Sequence, residues 1–253
     1  MRVKLVFQAP QPVTLNMSHN QQLQGMLYHG IDSDAMQSFL HEQGFTYEKR
    51  QFKLFVFSRL TGDSRFDAHE KAITFSPPVN LYISSPWESF LQNLVSGLIR
   101  ESTLSLGQNQ IHISEVAFEQ TPIFNEPRMY RVNMLSPVTV CSTLLTREGS
   151  KKTYYYSPQE KEFSKLIRLN LIKKAQAFYG EDWSSLPFSF APAGNIHVTQ
   201  QKVIIYKGFV IKGWMGRFLL SGDPRMLRLA YDSGCGSRNS CGCGMLALEN
   251  QQT

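Results

Sequence analysis

Two helical stretches alternate with short apolar strands in each half of this 253-residue chain, and that repeated order limits the possible folds more than any other feature. In the first half, residues 2–7 alternate as a strand, and residues 21–31 place Leu23, Met26 and Leu27 on one helical face. Asp32-Ser33-Asp34 interrupts that helix and can cap a second one over residues 35–41. Residues 53–59, rich in Phe, read as a strand, and strands at 72–75 and 79–83 are expected on either side of a break at Pro77-Pro78. Pro86 opens a helix running to about residue 99, with Phe90, Leu91, Leu94, Val95 and Leu98 on its apolar face, and residues 111–118 close the half as a strand.

The second half repeats the theme. Strands are expected at 129–135, 138–144 and 152–156. Pro158 sits in the first turn of a long helix that Gly180 stops. Strands at 198–206 and 209–220, a helix at 225–231 capped by Asp223-Pro224, and a strand at 245–248 complete the chain. Each half thus reads β-α-β-β-α-β with extra strands, which is the ferredoxin-like (RRM-like) plan. The expected fold is α+β: two tandem ferredoxin-like domains, residues 1–124 and 125–253, each an antiparallel sheet with helices on one face. The short, proline-bearing junction near residues 121–127 would hold them side by side with a cleft between.

No apolar run approaches the roughly 20 residues a membrane helix needs, and residues 1–7 read as a strand, not a signal peptide. A cytoplasmic protein with no membrane partner is expected. Three of the four cysteines, Cys235, Cys241 and Cys243, crowd together near the end. Their spacing does not fit a zinc knuckle, and no histidine follows them. They read better as small apolar residues, so no metal and no cofactor is expected.

Charge is unevenly spread. Residues 1–127 hold 9 Lys and Arg against 12 Asp and Glu, a net −3, whereas residues 128–253 hold 17 against 8, a net +9. A basic half suits a polyphosphate partner. The segment from Gly234 to Gly244, with Gly-x-Gly steps at each end around Arg238, suits the same partner. Glycines permit turns whose backbone N–H groups converge on an anion, so Gly234, Gly236, Gly242 and Gly244 are candidate positions for binding the phosphates of a nucleic acid. Arg238 can bond two phosphate oxygens at once. Lys151 and Lys152 precede Tyr154-Tyr155-Tyr156, a mixture fit for phosphate contact and base stacking, or equally for a hairpin with buried tyrosines. Lys202 and Lys207 are further candidates, with Lys212 and Arg217 beside them on the expected strands.

Five stretches resemble a known family: Leu23-Gln24-Gly25-Met26-Leu27-Tyr28, Phe39-Leu40-His41-Glu42, Lys53-Leu54-Phe55, Ser136-Pro137 with residues 156–163, and the closing glycine-rich segment followed by Met245. In this order they resemble the CRISPR-associated repeat-processing endoribonucleases of the RAMP superfamily, which cut precursor CRISPR RNA within its repeats. The resemblance implies two ferredoxin-like domains, a CRISPR repeat RNA as substrate and metal-independent cleavage. It also implies a Tyr–His–Lys catalytic group that maps onto Tyr28, His41 and Lys53. Other subunits of a CRISPR effector complex are admissible partners, and monomer and homodimer both stay open. Two departures stand out: cysteines fill the variable positions of the glycine loop, and His29, Lys49 and Arg50 lie close to the implied catalytic residues.

The chemistry suits those residues. RNA carries its own nucleophile, the 2′-OH, so no bound water needs activation. A proton carrier and positive charge on the phosphate oxygens suffice, and histidine titrates near neutral pH. The competing reading is a non-catalytic RNA-binding RAMP subunit. A dinucleotide-binding motif is excluded by position, because only nine residues follow Gly244.

Overall fold

The computed structural model describes residues 1–125, 128–145 and 149–249. The first lobe comprises β1 (Arg2–Gln8), β2 (Val13–Asn16), α1 (His19–His29), α2 (Asp34–Ser38), β3 (Phe45–Tyr47), β4 (Arg50–Phe52), β5 (Val56–Phe57), β6 (Thr61–Asp67), β7 (Ala72–Ser84), α3 (Glu88–Arg100), β8 (Leu104–Leu106) and β9 (Asn109–Glu119). The second comprises β10 (Tyr130–Met134), β11 (Cys141–Leu145), β12 (Lys151–Tyr155), α4 (Lys161–Tyr179), β13 (Phe188–Pro192), β14 (Gln201–Tyr206), β15 (Phe209–Trp214), β16 (Arg217–Gly222), α5 (Pro224–Ser233) and β17 (Leu246–Leu248).

Both lobes are ferredoxin-like. In the second, the sheet order is β13-β16-β10-β17, all antiparallel, with α4 and α5 contributing Phe163, Ile167, Leu171 and Met226 to its core. In the first, β9, β1 and β7 follow one another, and β5 and β6 line the far side of β7. α1 and α3 bury Leu23, Leu27, Phe90, Leu94 and Leu98 in that lobe's core. The helices cross so closely that a Cβ on Gly97 would collide with the carbonyl oxygen of Gly30.

Sequence and structure differ at several points. The expected break at Pro77-Pro78 does not occur: β7 runs through it. β1 pairs with residues 79–84 and β2 with residues 72–75, so the two prolines sit where one partner strand hands over to the other and no amide donor is needed. The helix expected over 35–41 stops at Ser38 and continues as one π-turn over Phe39–Gln43. The strand expected over 53–59 is only Val56–Phe57, because Leu54 takes a positive φ of 52°. The expected strand 209–220 divides into β15 and β16 at Met215-Gly216. Part of the expected junction, residues 126 and 127, lies outside the described residues. No described helix is long and apolar enough to cross a membrane.

The lobes interlock around the first strand. Arg2 is almost fully buried, donates to the Leu246 carbonyl at 2.7 Å and lies 3.8 Å from the Tyr231 ring centroid. The N-terminal ammonium pairs with Asp232 at 3.1 Å. The β3–β4 hairpin leans on α4 through Lys173–Glu48 at 2.7 Å and a Phe45–Phe178 ring contact.

Candidate active site

α1 turns a polar stripe toward the second lobe. Asn20 Nδ2 donates to the Cys241 carbonyl at 2.9 Å, and Gln24 Nε2 donates to the Ser240 carbonyl at 2.6 Å. Tyr206 of β14 donates its hydroxyl proton to Gln24 Oε1, and the Lys207 N–H donates to Gln21 Oε1 at 3.2 Å. One helix of the first lobe thereby holds both the glycine-rich loop and the β14–β15 turn of the second. Tyr28 sits one turn beyond Gln24 on the same helix.

A cleft of about 700 Å³ opens along this seam, lined by Gln24, Tyr28, His29, His41, Lys53, Lys207 and Ser240 among others. The π-turn sets His41. Leu40 is fully buried and Phe39 packs edge-on against Phe45 and Trp87, so the next residue is turned outward. The His41 and Tyr28 rings meet edge to face with centroids 6.3 Å apart, and Phe55 backs Tyr28 at 5.9 Å. Burial, with a lesser contribution from the Cys241 thiol, pushes the Tyr28 phenol up to about 12, so it stays protonated at neutral pH.

Lys53 does not begin a strand as expected; it follows β4. Its ammonium donates to the His41 carbonyl at 3.2 Å, and partial burial lowers its pKa. Gly44 makes room for this crossing: it has a φ of 64°, and a Cβ there would press on the Phe52 carbonyl and the Lys53 side chain.

Lys53 and Ser240 also line a second cleft of about 430 Å³, so the two run together. Arg50, Lys53, Lys174 and Arg238 line this one, and no described acidic residue does. Lys174 on α4 is 2% exposed, and its ammonium donates to the Gly234 carbonyl at 2.7 Å and to the Ser233 carbonyl and hydroxyl at 3.2 Å. Burial pulls its pKa down to about 7.

The glycine loop is built differently from the expectation of open amides. Gly234, Gly236, Gly242 and Gly244 are all buried. The Cys235 N–H donates to the Gly244 carbonyl at 2.8 Å, the Gly244 N–H to Pro137 at 2.9 Å and the Ser237 N–H to Thr139 at 2.7 Å. Asn239 Nδ2 ties Cys235 and Cys243 together through their carbonyls at 3.2 and 2.9 Å. The four glycines shape the loop from within; what lines the clefts is the run from Ser237 to Cys241, with Arg238 its charged member. Cys235 and Cys243 are fully buried and fill the interior as apolar residues. Among the described residues no group of three His, Cys, Asp or Glu side chains forms a metal-ligand set.

Tyr28, His41, Lys53 and Lys207 therefore come together at one cleft, and Arg238 stands in the adjoining one. His29 also lines the first cleft. Lys152 and Lys151 are exposed on β12, three and four pairs out from Cys141–Tyr155 along the β11–β12 hairpin, whose residues 146–148 lie outside the described ones. Lys202 is turned to the Thr199 carbonyl at 2.9 Å and lines neither cleft. Tyr154 and Tyr155 are engaged locally, with Glu160 at 2.9 Å and the Val210 carbonyl at 2.8 Å. Arg50 and Lys174 were not among the candidate residues. Lys174 carries a signal, a lysine at an apolar position of the long helix, and the only local mark on Arg50 is its closeness to Lys53.

Comparison with known proteins agrees with this architecture. The family description "CRISPR associated protein Cas6, C-terminal" matches residues 119–248, and "CRISPR-associated protein Cas6, N-terminal" matches residues 14–117. A curated relative from Methanocaldococcus jannaschii, "CRISPR-associated endoribonuclease Cas6 1", is 28% identical over 97% of this chain and 92% of its own. A solved structure titled "CRISPR associated protein Cas6" superposes with a TM-score of 0.78 at 26% identity, covering 99% of both chains. A Cas6-related protein from Pyrococcus furiosus shares the fold, with a TM-score of 0.84 at 17% identity over 100% of this chain and 99% of that one.

Proposed function

This chain belongs to the Cas6 family of CRISPR-associated proteins, and from that premise we propose that it is an endoribonuclease cutting precursor CRISPR RNA within its repeats. The observation that carries the reading is the convergence of Tyr28, His41 and Lys53, from three separate segments, on one cleft whose other wall is the second lobe's Lys207 and Ser240. The adjoining cleft continues the path with Arg50 and Arg238 and no described carboxylate, which suits a strand of phosphates.

In the proposed reaction the substrate's 2′ oxygen bonds to phosphorus while the bond to the 5′ oxygen breaks. The 2′ proton is removed, the departing 5′ oxygen gains one, and the ends are a 2′,3′-cyclic phosphate and a 5′-OH. His41 carries the proton, since it is exposed and lines the cleft and imidazole can both accept and return a proton. Tyr28, held neutral, donates its hydroxyl proton to a phosphate oxygen or aligns the 2′-OH. Lys53, fixed at the backbone of the histidine it serves, neutralises charge growing on the phosphate. The nucleophile belongs to the substrate, so the scheme requires no metal. The same proposal divides the chain at residues 124 and 125, with catalytic side chains in the first part and most of the basic charge in the second.

The test uses a repeat RNA and its counterpart with one 2′-deoxy nucleotide at the scissile position. We expect the first to be cut in EDTA, leaving a cyclic phosphate, and the second to bind equally well but stay intact. Cutting of the deoxy RNA, or activity lost to EDTA and restored by magnesium, would overturn the mechanism. An RNA that binds tightly but is never cut would favour the non-catalytic subunit instead.

A further inference from the structure

Phe209 has the most exposed ring of any described Phe or Tyr, at 74%. It stands at the tip of the β14–β15 hairpin, whose turn is Lys207-Gly208 with φ of 48° and 77°. Two successive positive φ values make the tight turn that matches strand twist, so the tip is a stiff support. The hairpin is also fixed from behind. Ile204 and Ile211 pack with Cys241 and Cys243 of the glycine loop, Tyr206 donates to Gln24, and the Lys207 N–H donates to Gln21. Phe209 pairs directly across the ladder from Tyr206, and cross-strand partners share a face. Its ring therefore lies on the α1 side of the hairpin, next to Lys207 at the edge of the proposed catalytic cleft, yet none of the described residues covers it.

We propose that Phe209 is a stacking platform for one unpaired nucleobase of the RNA, next to the scissile phosphate. The proposal rests on the endoribonuclease reading above and adds a specificity-determining contact to it. Charge chooses the occupant. From Gln201 to Trp214 the hairpin carries Lys202, Lys207 and Lys212 and no Asp or Glu. A symmetric contact with a second copy would bring these cations together, whereas a nucleotide offers a flat π face to the ring and a phosphate to Lys207. With its turn pinned to the helix that bears Tyr28, the platform would fix which nucleotide precedes the cut.

The experiment measures binding of the uncut 2′-deoxy repeat RNA, carrying 2-aminopurine at successive positions around the cleavage site, to the wild type and to Phe209→Ala, Phe209→Leu and Phe209→Trp. We expect wild-type quenching at one position, a loss of about 5- to 100-fold in affinity for Phe209→Ala, most of that loss for Phe209→Leu, and retention for Phe209→Trp. An abasic site at the quenched position should erase the difference between wild type and Phe209→Ala. Phe209→Leu binding like the wild type would make the contact merely apolar and overturn the proposal, as would Phe209→Ala with unchanged affinity and quenching. A halved solution mass for Phe209→Ala would make the face a contact between copies, which also overturns it. Wild-type protein that binds no repeat RNA would defeat the functional reading itself, a failure visible before any Phe209 variant is compared.

Discussion

The glycine-rich loop and the proposed catalytic cleft meet at Ser240, yet they are constructed in opposite ways. The loop is closed on itself: its glycines are buried, its amides engage Pro137, Thr139 and its own carbonyls, and Asn239 cross-links its two ends. The cleft is open. His41 is exposed on a single π-turn, and Lys53 reaches across to it through one hydrogen bond. The contrast separates two uses of chemistry-bearing segments: the loop supplies rigidity, and in the proposed reaction the cleft supplies groups that only the substrate completes. Substitutions should therefore split cleanly between those that harm folding and those that harm turnover.

His41→Ala should have the largest effect and the most one-sided. Removing the proposed proton carrier is expected to slow single-turnover cleavage by about 10²- to 10⁴-fold, with RNA affinity and the unfolding midpoint unchanged because the side chain is exposed. A parallel fall in stability would mean that the π-turn, not the imidazole, is what matters.

Gly244→Ala should do the reverse. A Cβ there would strike the Cys235 carbonyl oxygen, at a φ of 88° that alanine disfavours. Overpacking of about 1–3 kcal/mol and left-handed strain of about 1–2 kcal/mol should together lower stability by more than about 2 kcal/mol in chemical denaturation. Wild-type stability in this variant would show the loop to be looser than its packing suggests.

Lys174→Met tests how the loop is joined to α4. Methionine leaves the Ser233 and Gly234 carbonyls without their donor, a cost of about 1–3 kcal/mol for a buried acceptor. The pH dependence adds a sharper criterion. The buried lysine has a folded pKa of about 7 against an ordinary 10.5, so between these values the unfolded chain holds the extra proton. The contribution of Lys174 to stability therefore rises as pH increases from about 7 toward 10.5 and is least favourable below 7. The stability gap between wild type and Lys174→Met should widen in that direction across the window; a constant gap would mean that the ammonium keeps its ordinary pKa.

The helices were the most legible part of the fold in the sequence. α1, α3, α4 and α5 have apolar faces, and Gly180 and Asp223 cap as their residue types predict. The starts are displaced: α1 runs from His19 rather than residue 21, α3 begins at Glu88, and α4 begins at Lys161, leaving Pro158 outside its first turn. The sheets were less so, because strand partners are non-local: nothing near Pro77-Pro78 reveals that β1 and β2 share one side of β7. The same limit governs the site. Tyr28, His41 and Lys53 could be named from motif resemblance, but the bond from Lys53 to the His41 backbone depends on the π-turn and on Gly44, which no periodicity signals. The glycines were legible as turns, whereas the direction of their amides was not, since it depends on Pro137 and Thr139 a hundred residues earlier. Arg50 reaches the second cleft only because the β3–β4 hairpin leans on α4.

One further glycine completes the contrast. Gly25 lies inside α1 on the wall of the proposed catalytic cleft, and a Cβ there would meet nothing within 4 Å. The loop glycines are fixed by crowding; Gly25 faces empty space. Glycine in a helix interior costs about 0.8–1.0 kcal/mol relative to alanine, so Gly25→Ala should stabilise the protein by somewhat less than 1 kcal/mol and raise the melting temperature by about 2–4 °C. If the space above Gly25 is where the ribose-phosphate chain approaches the helix, the added methyl should at the same time weaken RNA binding, with KM rising more than kcat falls. A variant that is both more stable and equally good at binding RNA would show that the strand passes elsewhere, along the Lys207 side of the cleft.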